Sequence, residues 1–147
     1  MSIGTGDENK YIVTLSGGPD SAVTLWHWER PKSLAQIKLQ SGPLYQISFN
    51  AVDYQNGIFV SGRGKDKLFW FKYQNAGLVQ LPIGLNKLDP KLSTDYICHA
   101  WMPDGRLVIG TDNGEIIIFD SACEFRGYVT VGLDNCRVES ILPYSRG

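Results

Sequence analysis

A short apolar run that ends in glycine, followed by a polar turn and a second apolar run, occurs three times in this chain. Tyr11-Ile12-Val13-Thr14-Leu15-Ser16-Gly17 is the first copy, Ile58-Phe59-Val60-Ser61-Gly62 the second and Leu107-Val108-Ile109-Gly110 the third. Their glycines lie 45 and 48 residues apart. The second runs cover residues 22–28, 67–71 and 115–120, and their aromatics Trp26, Trp70 and Phe119 keep step at 44 and 49 residues. Such runs, rich in Val, Ile, Phe, Tyr and Trp and bounded by Gly, Asn, Asp and Pro, are the pattern of strands joined by tight turns. No window long enough for an ordinary helix carries an uninterrupted i, i+3, i+4, i+7 stripe. The expected class is all-β.

A third run follows each pair, at residues 34–39, 78–81 and 128–131. A fourth opens the next unit, at residues 44–49, 96–101 and 138–142. These end in the turns AVDYQNG, MPDG and PYSRG. Four short strands per unit of roughly 40–50 residues is the period of β-propeller blades. The second runs are apolar on both faces: side chains alternate along a strand, so Ile116 and Ile118 point one way, Ile117 and Phe119 the other. A sheet with one wet face alternates polar with apolar, whereas a sheet pressed between two others does not. The sequence therefore predicts a partial β-propeller of about three four-stranded antiparallel blades, at 10–41, 42–85 and 94–132. The first lacks its first strand, and 136–147 supplies the first strand of a further blade. Closed propellers generally need four blades or more. A fragment or incomplete ring is expected, completed by other blades in cis or in trans.

Composition bounds the partners. Of 147 residues, 43% are hydrophobic and 12% aromatic, enough to build a core. With 14 basic and 15 acidic residues there is no basic excess to displace counterions, which argues against nucleic acid. No apolar run approaches a bilayer's thickness, and the polar start MSIGTGDENK has no apolar core of a signal peptide. Cys98, Cys123 and Cys136 are odd in number and lack CxxC spacing, so free thiols in a reducing compartment are expected. No heptads predict a coiled coil.

One stretch competes with the scaffold reading. Ser16-Gly17-Gly18-Pro19-Asp20-Ser21 resembles the SGGxDS loop of ATP pyrophosphatases, which would make the chain an ATP-dependent adenylating enzyme. That loop works by opening a helix whose first N–H groups converge on phosphate. Here Val23, Thr24, Trp26, Trp28 and the early Pro31 favour a strand or stop a helix. The same slot is filled elsewhere by residues 61–66 and by 110–114, the latter with the hairpin signal Asn113-Gly114. Ser16, Gly17, Gly18, Asp20 and Ser21 are expected to form a turn that binds no cofactor. Cys98 and His99 are adjacent on a strand and face opposite sides, so they cannot share a metal. Ser16, Asp20, Ser21 and His27 lack the strained elbow of a nucleophile set. Asp112-Asn113-Gly114 lacks the spaced oxygens and closing glutamate of a calcium loop. Neither a catalytic residue nor a metal ligand is assigned. Arg63, Lys65 and Lys67 crowd one turn; with Asp66 among them they form a solvated tip or grip an acidic partner. Most aromatics are expected in the core, but an outward Trp28 or Tyr73 would anchor a partner.

The units resemble WD repeats. The turn before the second strand is best kept in Met102-Pro103-Asp104-Gly105, while the Trp-Asp slot reads Trp26-His27, Trp70-Phe71 and Phe119-Asp120. Packing, rather than the buried Asp–His–Ser/Thr–Trp network of many WD blades, is expected to carry these units. SGGPDSAVTLWHWE, GPLYQISFNAVD and YICHAWMPDGRLVIGTDNGEIIIFDS, in that order, look like consecutive blades of the cilia- and flagella-associated WD-repeat proteins. The likeness runs from about Lys10 onward. It implies a non-catalytic scaffold of the ciliary or flagellar axoneme, cytoplasmic and cytoskeletal, with inner dynein arm or tether components as protein partners. A cytosolic WD-repeat scaffold unrelated to cilia is the other reading of the same residues.

Overall fold

The computed structural model describes residues 2–3, 10–30, 32–50, 57–64, 66–132 and 136–144. Three four-stranded antiparallel sheets follow one another along the chain. The first contains β1 (Ser2–Ile3), β2 (Tyr11–Leu15), β3 (Ser21–His27) and β4 (Ser33–Leu39). The second contains β5 (Leu44–Phe49), β6 (Ile58–Gly62), β7 (Leu68–Gln74) and β8 (Gly77–Leu81). The third contains β9 (Tyr96–Trp101), β10 (Leu107–Thr111), β11 (Glu115–Phe119) and β12 (Phe125–Thr130). Within each sheet the strands are neighbours in sequence order, so every unit is a simple meander. A short 3-10 helix, Leu85–Lys87, interrupts the link from β8 to β9.

Two details differ from the sequence reading. Ser2–Ile3 pair with β2, Ser2 opposite Val13 and Ile3 opposite Ile12, so the first sheet does have a first strand. A two-residue strand is too short for any periodicity to reveal it. Conversely, residues 138–142 were expected as a strand and are not one. Pairing is what makes a strand, and no further strand lies beside them among the described residues. The turns expected at 51–56 and 145–147, together with Pro31 and Lys65, lie outside the described residues.

Tight hairpins set the register. Between β7 and β8, Asn75 and Ala76 both adopt positive φ (52° and 59°), the geometry of a two-residue turn whose twist matches the flanking strands. Tyr73 then pairs with Leu78 and Gln74 with Gly77.

The second sheet is the middle of a stack. Every residue of β6 is buried. Ile58 and Val60 enter one apolar cluster, with Val13, Val23, Leu25, Ile47 and Phe71, between the first and second sheets. Phe59 enters the other, with Trp70, Tyr96, Ile109, Ile117 and Phe119, between the second and third. Alternation along a single strand thus feeds two cores, which is why the sequence shows no polar–apolar alternation there.

Packing does not act alone, contrary to the sequence-based expectation. At the second junction, Gln46 of β5 donates from Nε2 to the His99 carbonyl (2.8 Å) and accepts at Oε1 from the His99 N–H (2.9 Å). The His99 ring lies between two hydroxyls, Ser61 Oγ at 2.7 Å from Nδ1 and Ser48 Oγ at 2.6 Å from Nε2. A neutral imidazole can donate to one and accept from the other. In the first sheet Trp26 Nε1 donates to Thr14 Oγ1 (2.9 Å), which keeps the Thr–Trp part of a WD-type network although its Asp and His are missing. In the third, buried Glu115 accepts from the Thr111 hydroxyl and from Asn113 Nδ2.

Burial pushes the His99 pKa down from 6.5 to about 3. The unfolded chain therefore takes up a proton near pH 6.5 that the folded chain refuses until about pH 3. Stability is fully present above pH 6.5 and declines as pH falls below it. Between pH 7.5 and 5.0 this single group is expected to remove about 2 kcal/mol, at about 1.4 kcal/mol per pH unit. Urea midpoints across that range check it, and His99→Gln should flatten the slope. Phe59→Ala empties a fully buried aromatic site and is expected to cost about 3–5 kcal/mol in the same assay at pH 7.5.

Candidate interaction surfaces

Antiparallel meanders put alternate turns at opposite ends of each sheet. The turns at 16–20, 63–67 and 112–114 and the link ends that enter β5 and β9 share one rim. The turns at 28–32, 75–76, 102–106 and 120–124 share the opposite rim.

On the first rim, the SGGPDS stretch is the turn between β2 and β3. Ser16 N–H donates to the Ala22 carbonyl (2.9 Å), Ala22 N–H donates to Ser16 Oγ (2.9 Å) and Ser21 Oγ donates to the Gly18 carbonyl (3.4 Å). Gly18 has φ +108°, which accounts for its glycine. Ser21 opens a strand, not a helix, so the helix N-terminus that a nucleotide loop requires is replaced by β3. Ser21 and His27 stand at the two ends of that strand, about 20 Å apart at the usual rise, and cannot act together.

Arg63 is exposed and its Nε lies 3.4 Å from Asp95 Oδ2; its N–H donates to the Pro43 carbonyl (3.0 Å). Lys67 is half-buried and its stem rests beside Gly42. Arg63 is therefore already engaged with the link residues around it. Next to them Ser93 donates to Asp112 Oδ1 and accepts from the Asp95 N–H. Among the described residues no group of three side chains is placed to hold a metal ion.

The aromatic candidates lie elsewhere. Trp28 is 59% exposed just past the end of β3, on the opposite rim. Tyr73 is half-buried and packs against the cluster between the first two sheets rather than facing outward. Its neighbour Lys72 takes the other side of β7, so alternation decides the matter. The structure does not bring Trp28, Arg63, Lys67 and Tyr73 into one site.

On Trp28's rim, the third sheet keeps the aspartate of the Trp-Asp slot. Asp120 Oδ1 accepts from the N–H groups of Ala122 and Glu124 (2.9 and 3.0 Å), and Oδ2 accepts from Arg126 Nε and Nη2 (2.8 and 2.5 Å). It ties down a turn in which Cys123, fully buried, adopts φ 54°. Cys98, Cys123 and Cys136 are all free.

Two concavities were not legible in the sequence. One is a groove of about 720 Å³ between the turn at 16–21 and the segment 41–48. The other, about 140 Å³, is lined by Leu85, Leu88, Leu92, Tyr96 and Ile117 beside the 3-10 helix. Both arise where a link crosses between sheets, and link paths have no periodicity to read.

Sequential meanders stacked face to face, with turn-bearing rims at both ends, define an arc of a β-propeller. The crystal structure of the Myceliophteria thermophila Cps50 (Swd1) β-propeller domain superimposes with a TM-score of 0.72 over 95% of this chain and 44% of that one, at 14% identity. No protein-family model matches the chain. Its curated relatives include cilia- and flagella-associated proteins, to segments of which it is homologous. It is 31% identical over 122 residues, 82% of the chain, to mouse cilia- and flagella-associated protein 57. It is 29% identical over 94% of the chain to protein 57 A of Tetrahymena thermophila, and 22% identical over 92% to mouse protein 44. The chain spans 9%, 11% and 7% of the length of these three relatives respectively.

The rims differ in what their charges do for stability, and two substitutions separate them. Asp120→Ala removes the acceptor of two backbone N–H groups and is expected to lower stability by roughly 1 kcal/mol or more. Arg63→Ala removes one exposed ion pair and should change it by about 0.5 kcal/mol or less. Urea unfolding of the two variants at pH 7.5 checks the difference.

Proposed function

We propose that this chain is a non-catalytic protein-interaction module of an axonemal WD-repeat scaffold. The single observation that carries the reading is the homology of 82–94% of the chain to cilia- and flagella-associated proteins of mouse and Tetrahymena, on a fold made of stacked blades. A propeller blade offers turns on a rigid frame, and loops held in this way are where binding residues concentrate. The chain works in the cilium or flagellum, cytoplasmic and cytoskeletal, and its blades join others of the same ring. Its partners are proteins of the axoneme, among them components of the inner dynein arms or their tethers. Trp28 and the Arg63–Lys67 turn serve separate partners, because they sit on opposite rims. The nucleotide reading of SGGPDS has no support in this geometry, since the loop lacks a following helix.

Fusing the chain to a biotin ligase in ciliated cells tests the proposal. Labelled proteins are expected to be enriched in axonemal dynein subunits and in tubulin over a ligase-only control. Labelling spread evenly over cytosolic proteins would instead favour a scaffold unrelated to cilia.

A further inference from the structure

The turn that carries Trp28 ends in Arg30-Pro31-Lys32-Ser33-Leu34. Arg30, Lys32 and Ser33 are all exposed, and among the described residues neither cation enters an ion pair. The hydroxyls of Ser16, Ser21, Ser48, Ser61 and Ser93 are engaged in hydrogen bonds, whereas that of Ser33 is in none among the described residues. Ser33 thus presents a free hydroxyl with a free arginine three residues ahead of it and a free lysine directly before it.

This arrangement occurs once. Of the arginines in the chain, only Arg30 and Arg137 have a serine or threonine three residues later, Ser33 and Ser140. Ser140 is also exposed, but it follows Glu139, whose Oε1 lies 3.1 Å from Arg137 Nε. There the arginine is already held by the carboxylate beside the serine.

The backbone suits access as well. β4 is an edge of the first sheet and bonds to β3 alone. Its register slips between Leu25, opposite Ala35, and Trp26, opposite Ser33. Ser33 therefore lies beyond a bulge at the start of an edge strand, where the ladder is weakest and opens at least cost. Residues 30–32 precede the ladder altogether.

We propose that Ser33 is the phosphate acceptor of a serine kinase that selects basic substrates. The proposal goes beyond the scaffold reading and does not rest on it. A kinase cleft lined with carboxylates takes the Arg30 guanidinium through paired charge-assisted hydrogen bonds, and this charge pattern sets its choice of substrate. Ser33 Oγ attacks the γ-phosphorus of Mg-ATP, its proton passes to the catalytic aspartate of the kinase, and the bond to ADP breaks as the Oγ–P bond forms. At pH 7 the product carries about two negative charges in place of a neutral hydroxyl. With Glu29 set against Arg30 and Lys32, the turn beside Trp28 then changes from net positive to net negative.

The 147-residue chain is incubated, folded, with radiolabelled Mg-ATP and the catalytic subunit of a cyclic-AMP-dependent kinase, beside an acidophilic kinase of the casein kinase type. About one phosphate per chain is expected from the first kinase and little from the second. Ser33→Ala should abolish incorporation, and Arg30→Ala should lower kcat/KM by about tenfold or more. Both substitutions are at exposed positions, so circular dichroism and the melting temperature should match the parent's. No incorporation would overturn the proposal, as would incorporation that Ser33→Ala retains or that Arg30→Ala leaves at the parent's rate. Equal labelling by the acidophilic kinase would do the same. So would labelling that appears only when urea unfolds the chain, since Ser33 would then be shielded in the native sheet. Axonemal proximity labelling that fails while Ser33 is phosphorylated would remove the scaffold role and leave this site standing.

Discussion

Everything here depends on sheets that are oily on both faces. β6 cannot be solvated on either side, because Phe59 belongs to one core and Ile58 and Val60 to the other. A sheet of this kind is unstable alone and needs a neighbour on each face. Stacking, and with it the curved succession of blades, follows from that one need. The rims inherit their rigidity from the stack, since each turn ends a strand whose side chains are locked between sheets.

The repeat was legible because stacking leaves a periodic trace. Glycines at 17, 62 and 110 and aromatics at 26, 70 and 119 mark equivalent positions on equivalent strands, and both follow from the geometry of a meander. Strands β2 to β12 fall where the apolar runs lie. What failed to show was set by tertiary partners. Ser2–Ile3 is a strand only because β2 lies beside it. Residues 138–142 have strand-like composition but, among the described residues, no neighbouring strand to form a ladder with, so they stay irregular. The polar links were also hidden. Nothing in Gln46 or His99 alone announces that one side chain will pair with the other's main chain across 53 positions of sequence.

The candidate site was less legible than the fold. Charge clustering drew attention to Arg63, Lys65 and Lys67, yet Arg63 reaches Asp95 and Lys67 leans on Gly42. Tyr73 looked like an anchor from composition, but strand alternation turned it inward. Trp28 did prove exposed, because it falls beyond the last paired residue of β3. The SGGPDS stretch misled in an instructive way. Its glycines and serines are the same residue types that grip phosphate and that make hairpin turns, and only the element that follows distinguishes the two. The strand Ser21–His27 settles which chemistry the turn can perform.

The two junctions differ in how their main chain is bonded at the rim. The second junction combines a full apolar core with Gln46, His99, Ser48, Ser61 and the Arg63–Asp95 contact, so its rim is sealed. The first has an apolar core of similar character but no main-chain closure on its rim, because a four-residue link ending in proline cannot provide it. Degeneracy of the WD pattern is not only loss. It lets each unit keep the fragments of the network it needs, Thr14–Trp26 in the first and the Asp120 turn in the third. Substitutions on the rims, outside the packed faces, can then diverge without disturbing the stack.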